Sequence, residues 1–257
     1  METLRVEKEG HFCWLKLNRP EAMNALNTQM AKDLIAAAQE IALDRDVWVV
    51  GITTTSDTFG VGADLKERKD MTPEEIAAQR VLFTRAMIAL KNLPQPVLAG
   101  VKGFALGGGF EIALMADIMI AGEYAQFGLP EVRVGLIPGN GGTQTLSRLI
   151  GKSRAKEMIF TGKRIDARKA LEIGIVNQIV PVDRVEEAVR NLAEEISANA
   201  PVAVRQAKKA IEMGMNADLI TGMEIETEAY NVNLVTKDRQ EGVQAFNEKR
   251  KPRWQGR

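Results

Sequence analysis

The sequence predicts an α/β core followed by an all-helical tail, and three observations carry that prediction. Stretches rich in β-branched residues alternate with amphipathic ones, the pattern of strands interleaved with helices. From Asp183 onward the strand signal disappears, "NQIV" just before it being the last, and helical patterns follow one another to the end. Twice, a strand runs into a glycine-containing turn and then a helix, at "GVGADLKE" and at "LGGGFEIA".

The elements follow in order. "LRVEKEGHFCWLKL" reads as a hairpin turning at Glu9-Gly10. Asn27 or Thr28 caps a helix reaching residue 43, with Met30, Leu34, Ile35 and Ile41 on one face. "VWVVGITT" is a buried strand, and "TSDTFGVGADLKE" after it a loop. Thr72-Pro73-Glu74-Glu75 combines a cap, a proline at the first helical position and a glutamate at the third, and predicts a helix that "LPQP" stops. "VLAGVKGFAL" reads as one strand ending at Gly107, Gly108 and Gly109, and a helix over residues 108–115 leads into the strand "DIMIAG". "VEEAVRNLAEEISA", "PVAVRQAKKAIEMG" and "ADLITGMEIETEAYNVNLV" are amphipathic helices, and "KDRQEGVQAFNEKR" is a last short one. A boundary near residue 195 divides a core, 1–195, from a helical region, 196–257. Such a tail serves either as an oligomerisation element or as a plain helical layer.

Composition narrows the function. The 257 residues carry 34 basic and 34 acidic side chains, so no electrostatic case exists for nucleic acid or an anionic membrane. Hydrophobic residues make up 45% of the chain, enough for a sizeable core. The single cysteine, Cys13, excludes disulfides and cysteine metal sites. "METLRVEKEG" lacks the apolar stretch of a signal peptide, and no run reaches the ~18 apolar residues that span a bilayer, so a cytoplasmic protein is expected.

Exclusions continue at the level of chemistry. His11 is the only histidine and sits in the hairpin, which removes Ser-His-Asp and Cys-His devices and leaves it a structural residue. "GKS" at residues 151–153 has Leu146 where a phosphate loop needs glycine, and no Gly-x-Gly-x-x-Gly follows a strand. No carboxylate cluster suggests a metal, so neither metal nor separate cofactor is expected. What remains is two glycine turns and two glutamates. Three consecutive glycines weaken a helix by about 1 kcal/mol each and need a reason. Either the turns are tight connections, or something approaches their backbone and receives free N–H groups as an oxyanion hole. Glu111 either favours the dipole of its helix, worth roughly 0.3–1 kcal/mol, or works as an acid/base group. The same choice holds for Glu131, after Pro130 in "GLPEVRVG".

Taken together, "GADLKE", "GFALGGGFEIALMADI" and "FGLPEVRVGLIPGNGGTQ", in that order and spacing, resemble the crotonase (enoyl-CoA hydratase/isomerase) superfamily. The resemblance runs from "LNRPEAMNAL" to "GVQAFNEKRKPRW" and is closest to the branch of methylglutaconyl-CoA hydratases that also bind AU-rich RNA. It implies a spiral of ββα units whose helical tail builds a trimer, usually paired into a hexamer, and an acyl-CoA thioester as substrate. It implies that the N–H groups of Ala63 and Gly108 hold the thioester oxygen, with Glu111 and Glu131 as the catalytic pair of a hydratase. Glu111 would deprotonate the attacking water, and Glu131 would protonate C2. Ala63, Asp64, Leu65 and Lys66 match the strip that contacts CoA. Phe246 and Lys249 match tail positions that approach CoA, sometimes from a neighbouring subunit, although both lysines are equally readable as plain surface residues.

Some positions depart from the pattern. Gly60-Val61 replace the more usual small residues, and Thr145 stands where arginine is common. The helix after Asn27 has one lysine, unlike the lysine-rich helix of the RNA-binding relatives, which argues against nucleic acid. The implied activity is therefore syn hydration of a short or branched 2-enoyl-CoA. Another crotonase-type activity (isomerase or acyl-CoA hydrolase) is the alternative, and an RNA-binding protein is the disfavoured third.

Overall fold

In a computed structural model, which describes all residues Met1–Arg257, the hairpin forms where it is expected, from β1 (Leu4–Glu9) and β2 (Phe12–Leu17). Gly10 adopts φ +59° at the turn. Helix α1 (Thr28–Leu43) starts at Asn27, whose side chain accepts from the Met30 N–H, and buries Met30, Leu34 and Ile41. β3 (Val49–Thr54) is buried along its whole length. The predicted loop after it contains a short strand, β4 (Gly60–Val61), and one turn of helix, α2 (Leu65–Arg68). α3 (Pro73–Lys91) opens with the full capping box of Thr72 and Glu75.

One predicted strand is two. "VLAGVKGFAL" divides into β5 (Val97–Val101) and β6 (Phe104–Leu106), which lie in different sheets. The corner is Gly103, at φ +58°, where a β-carbon would come 2.0 Å from the Asp57 carbonyl oxygen. A continuous apolar run conceals such a corner, because both halves are buried and periodicity sees no break. α4 (Gly108–Ala113), β7 (Ile118–Gly122) and β8 (Gln126–Gly128) follow. Then come α5 (Gly142–Ile150), α6 (Lys152–Thr161), β9 (Ile165–Asp166), α7 (Ala167–Glu172) and β10 (Gln178–Val180). β8 and β9 are too short to leave a pattern in the sequence.

These strands build two sheets. The larger has the order β1-β2-β3-β5-β7-β10, parallel except for the hairpin, and the smaller has the order β4-β6-β8-β9. The chain repeatedly adds a strand to the large sheet, a strand to the small one, and then a helix: β3-β4-α2/α3, β5-β6-α4, β7-β8-α5/α6. This is a spiral of ββα units. Its effect is to align the ends of β4, β6 and β8 side by side, so that whatever follows each strand meets its neighbours. Phe59, Phe83, Phe110 and Phe127 are buried in the main core.

α8 (Val185–Ser197) covers the other face of the large sheet, with Val189 and Ala193 against Trp14, Trp48 and Leu98. Gly100 leaves room for Val185 and Val189, each of which would lie 3.1 Å from a β-carbon there. His11 stacks on Trp48 at 3.6 Å, its Nδ1 2.8 Å from the Asp46 carbonyl oxygen, which is a structural role. α9 (Pro201–Gly214) and α10 (Leu219–Leu234) pack on each other, and α11 (Lys237–Asn247) ends the helical region. No helix is long and apolar enough to cross a membrane.

Candidate active site

The three glycines are required first of all by the chain itself. A β-carbon on Gly109 would lie 2.2 Å from the Gly60 carbonyl oxygen, and one on Gly107 would lie 3.0 Å from the Gly62 α-carbon. Gly107 also adopts φ +50°, which favours glycine. The visitor that the sequence leaves unnamed is thus the backbone of residues 60–62, drawn in by hydrogen bonding. Gly62 N–H donates to Leu106 O at 2.7 Å, and Gly107 N–H donates to Gly128 O at 2.9 Å.

That packing has a second result. Segment 62–64 runs parallel to Leu26: Leu26 N–H donates to Gly62 O, and Asp64 N–H donates to Leu26 O. Strand geometry then turns the intervening Ala63 N–H the other way, and it donates to no acceptor in the protein. Gly108 heads α4, so its N–H has no partner in the helical ladder. A β-carbon on Gly108 would lie 3.3 Å from Gly62 O, which places the two free donors on neighbouring strands of backbone. Donors fixed in this way suit an oxygen that gains negative charge.

Glu111 and Glu131 converge on the same place. Glu111, in the first turn of α4, is buried to 1% exposure. Its Oε1 accepts from Asn140 N–H at 2.7 Å and from Gly142 N–H at 2.9 Å. Burial pushes the Glu111 carboxyl upward, and the Gly142 and Asn140 amides oppose that push. Glu131 follows β8 in a short 3-10 turn, Glu131–Val134. The pairing of Leu106 with Gly128 sets the end of β8 beside the glycine turn, and Glu131 Oε1 would lie 3.1 Å from a β-carbon on Gly107. Glu131 Oε2 is buried without a hydrogen-bond partner. Burial, with the charge of Glu111 adding to it, pushes the Glu131 carboxyl up to about 7. Two carboxyls therefore share a site in unlike environments, one clamped by the amides of another turn and one with an oxygen, Oε2, that has no partner. Such a pair can hold a water and exchange its protons.

The remaining predicted residues divide. Asp64 is committed to the fold: its carboxylate caps α2 by accepting from Lys66 and Glu67 N–H and pairs with Arg19 at 3.0 Å. Leu65 and Lys66 are exposed next to Ala63. Phe246 and Lys249 lie at the end of α11, Phe246 84% exposed. The segment after α11 seats on α8 and the start of β3, where Trp254 Nε1 donates to Ala198 O and Gly256 packs beside Trp48. Neither Phe246 nor Lys249 makes a side-chain hydrogen bond or ion pair to Ala63, Glu111 or Glu131. No group of three or more His, Cys, Asp or Glu side chains comes together as metal ligands.

Residues 7–257 match the family model described as "Enoyl-CoA hydratase/isomerase". The chain belongs to the enoyl-CoA hydratase/isomerase family. A short-chain-enoyl-CoA hydratase of Clostridium acetobutylicum is 43% identical over 247 residues, covering 96% of this chain and 95% of that one. An enoyl-CoA hydratase of Bacillus anthracis, known from a crystal structure, superposes with a TM-score of 0.97 at 43% identity, over 99% of this chain and 100% of the other. A second structural relative, Pseudomonas aeruginosa DspI, gives 0.95 at 35% identity, over 99% of this chain and 97% of its own.

Within this family site, the sequence alone singles out neither Asn140 nor Gly142. Their only signal is the "GNGG" turn ahead of α5, and their contribution is made by backbone amides, which no residue type announces. Thr145 has a role of its own, its hydroxyl donating to Gly141 O at 3.0 Å and bracing that turn.

Proposed function

We propose that the protein is an enoyl-CoA hydratase acting on short or branched 2-enoyl-CoA thioesters. The observation that carries this reading is the unlike pair itself. Glu111 is clamped by two amides, while Glu131 keeps Oε2 without a partner and is pushed up to about 7, and both stand beside the free amides of Ala63 and Gly108.

The steps follow from these roles. The thioester oxygen accepts hydrogen bonds from Ala63 and Gly108 N–H, which lowers the energy of the enolate-like state in which charge moves onto it. Glu111, as carboxylate, takes one proton from water while the water oxygen bonds to C3. The electron pair of the C2=C3 bond passes toward the thioester oxygen, and Glu131, as carboxylic acid, delivers its proton to C2. Both additions come from the one face the glutamates share, which makes the addition syn. Glu111 ends protonated and Glu131 ionised, and proton exchange resets the pair. The chain supplies every acid, base and donor, so the reaction needs neither metal nor separate cofactor.

CoA is expected along Leu65 and Lys66, with Phe246 and Lys249 reaching it from a second copy. The apolar residues that α9 and α10 leave exposed (Ile211, Leu219, Ile220, Met223 and Tyr230) favour assembly into a trimer or a pair of trimers. An isomerase needs one group to move a proton between carbons and gains nothing from a second acid, so the pair favours hydration. Incubation with crotonyl-CoA in isotope-labelled water tests the reading. Label in the hydroxyl of 3-hydroxybutyryl-CoA is expected, and a double-bond shift or free CoA without it overturns hydration.

A further inference from the structure

The turn that clamps Glu111 is itself held by a residue outside it. Arg80, on the exposed side of α3, donates from Nη2 to Gly139 O at 2.9 Å. Its guanidinium covers Gly139 so closely that a β-carbon there would lie 2.1 Å from Nη1 and 2.8 Å from Cζ. The next residue, Asn140, donates its N–H to Glu111. Arg80 is thus joined to the catalytic carboxylate by one hydrogen bond, one step of backbone and a second hydrogen bond. Within the turn, Gly141 adopts φ +105°, and Thr145 braces it from its own helix.

Charge points the same way. Arg80 makes no side-chain bond other than that to Gly139, so no carboxylate neutralises it. Its neighbour Arg68, on α2, spends its Nε–H on Gln79 and lies over Phe83, and it too lacks an acidic partner at salt-bridge distance. Around Glu111, the turn after β8 presents Glu131, while Arg133 on the same turn donates instead to Thr161 O, and α3 supplies Arg80 through the Gly139 turn. The residues 140–145 present only neutral side chains. Burial raises the Glu111 carboxyl; the Gly142 and Asn140 amides oppose it first, and the charge of Arg80 adds a smaller downward pull.

We propose that Arg80 is a positioning residue for Glu111: it fixes the turn whose amides clamp the carboxylate and adds positive charge on the side of that turn. The proposal rests on the hydratase reading for its kinetic consequence. Its electrostatic part concerns the folded protein alone. Division of labour then has a physical source. Glu131, farther from that charge and without a donor on Oε2, retains the proton that hydration delivers to C2.

Two variants, Arg80→Met and Arg80→Lys, separate this from a merely structural role. In glutamate-labelled protein, the Glu111 carboxyl signal, assigned by its loss in Glu111→Gln, is titrated by carbon NMR. Arg80→Met is expected to raise its midpoint by about half a unit to one unit, and Arg80→Lys to restore most of that. Added salt should shrink the difference, because Arg80 is exposed. In crotonyl-CoA hydration, Arg80→Met should move the acid limb of kcat upward and lower kcat on that limb by about three- to tenfold. The alkaline limb, set by Glu131, should stay in place, and KM should change by less than about twofold, since Arg80 does not touch substrate. An unmoved Glu111 titration overturns the proposal, as does an equal loss at every pH or a change in KM alone. If the unaltered enzyme leaves crotonyl-CoA unchanged, the hydratase reading fails, and the titration still decides for or against Arg80.

Discussion

Gly109 and Gly60 touch backbone to backbone: a β-carbon on Gly109 would lie 2.2 Å from the Gly60 carbonyl oxygen and 2.7 Å from its α-carbon. No side chain stands between them to move aside, so relief must come from separating α4 from β4. Gly109→Ala is therefore expected to cost about 3 kcal/mol or more, a drop in Tm of roughly 6–12 °C for a chain of this size. It should also lower hydration, because Ala63 and Gly108 part when the two segments do. Gly135→Ala is the comparison. Gly135 has φ +74° with open space around it, so only the left-handed backbone is charged, about 1–2 kcal/mol. Thermal unfolding of the two variants side by side checks the difference.

Glu111→Gln keeps the shape of the side chain and lets an amide oxygen accept from Asn140 and Gly142. It removes the base. Hydration of crotonyl-CoA is expected to fall by about a thousandfold, within the range general-base groups contribute, with far-UV circular dichroism unchanged. Removing a charge that burial disfavours should leave Tm equal or higher. A variant that retains near-normal turnover would remove Glu111 from the mechanism.

Glu131 carries a pH signature. Its folded pKa, about 7, lies above the usual 4.5, and the proposed mechanism uses its protonated form. Hydration should therefore decline as pH rises through about 7, and Glu131→Gln should abolish that alkaline limb along with most of the activity. Stability follows the same proton. The folded state binds it more tightly than the unfolded one, so this contribution is complete below about pH 4.5 and is lost as pH rises through about 7. Glu131→Gln should then raise stability above about pH 8 by on the order of 1–2 kcal/mol, solvent at this half-buried group reducing the full linkage value. It should leave stability unchanged near pH 4.5, where the native glutamate already carries its proton. Denaturant titrations at the two pH values check the sign.

The sequence revealed most where side chains carry the information. Thr72, Asn27 and the β-branched run 49–54 announced their elements because caps and strands depend on residue type. Glu111 and Glu131 stood out for the same reason once histidine and cysteine chemistry was excluded. What stayed hidden belongs to the backbone. Asn140 and Gly142 act through amides, and the corner at Gly103 interrupts nothing in the apolar pattern. The partner of the triple glycine is another glycine segment some fifty residues away in sequence, Gly60–Gly62, and pairing of that kind exists only after the sheets form. Arg80 has no motif around it, because its bond to the Gly139 carbonyl depends on the fold.

The tail offers a prediction that links assembly to binding. Phe246 and Lys249 stand at the end of α11, with Lys249 at φ +54°, a backbone conformation that costs a lysine roughly 1 kcal/mol or more. The proposed role of these residues, contact with CoA bound at a neighbouring copy, ties binding to assembly. Tyr230→Glu with Leu219→Lys places charges in the exposed apolar face of α10 and is expected to shift light-scattering mass from an oligomer toward a single chain. Activity should fall with it, through KM more than kcat, since Glu111, Glu131, Ala63 and Gly108 all belong to one chain. Phe246→Ala and Lys249→Ala should raise KM for crotonyl-CoA by about three- to thirtyfold, or roughly 0.7–2 kcal/mol of binding, while the oligomer stays intact. The rise should be smaller for crotonyl-pantetheine, which lacks the nucleotide that a lysine would hold. Equal effects on both thioesters would place these side chains away from CoA and leave the tail as an assembly element alone.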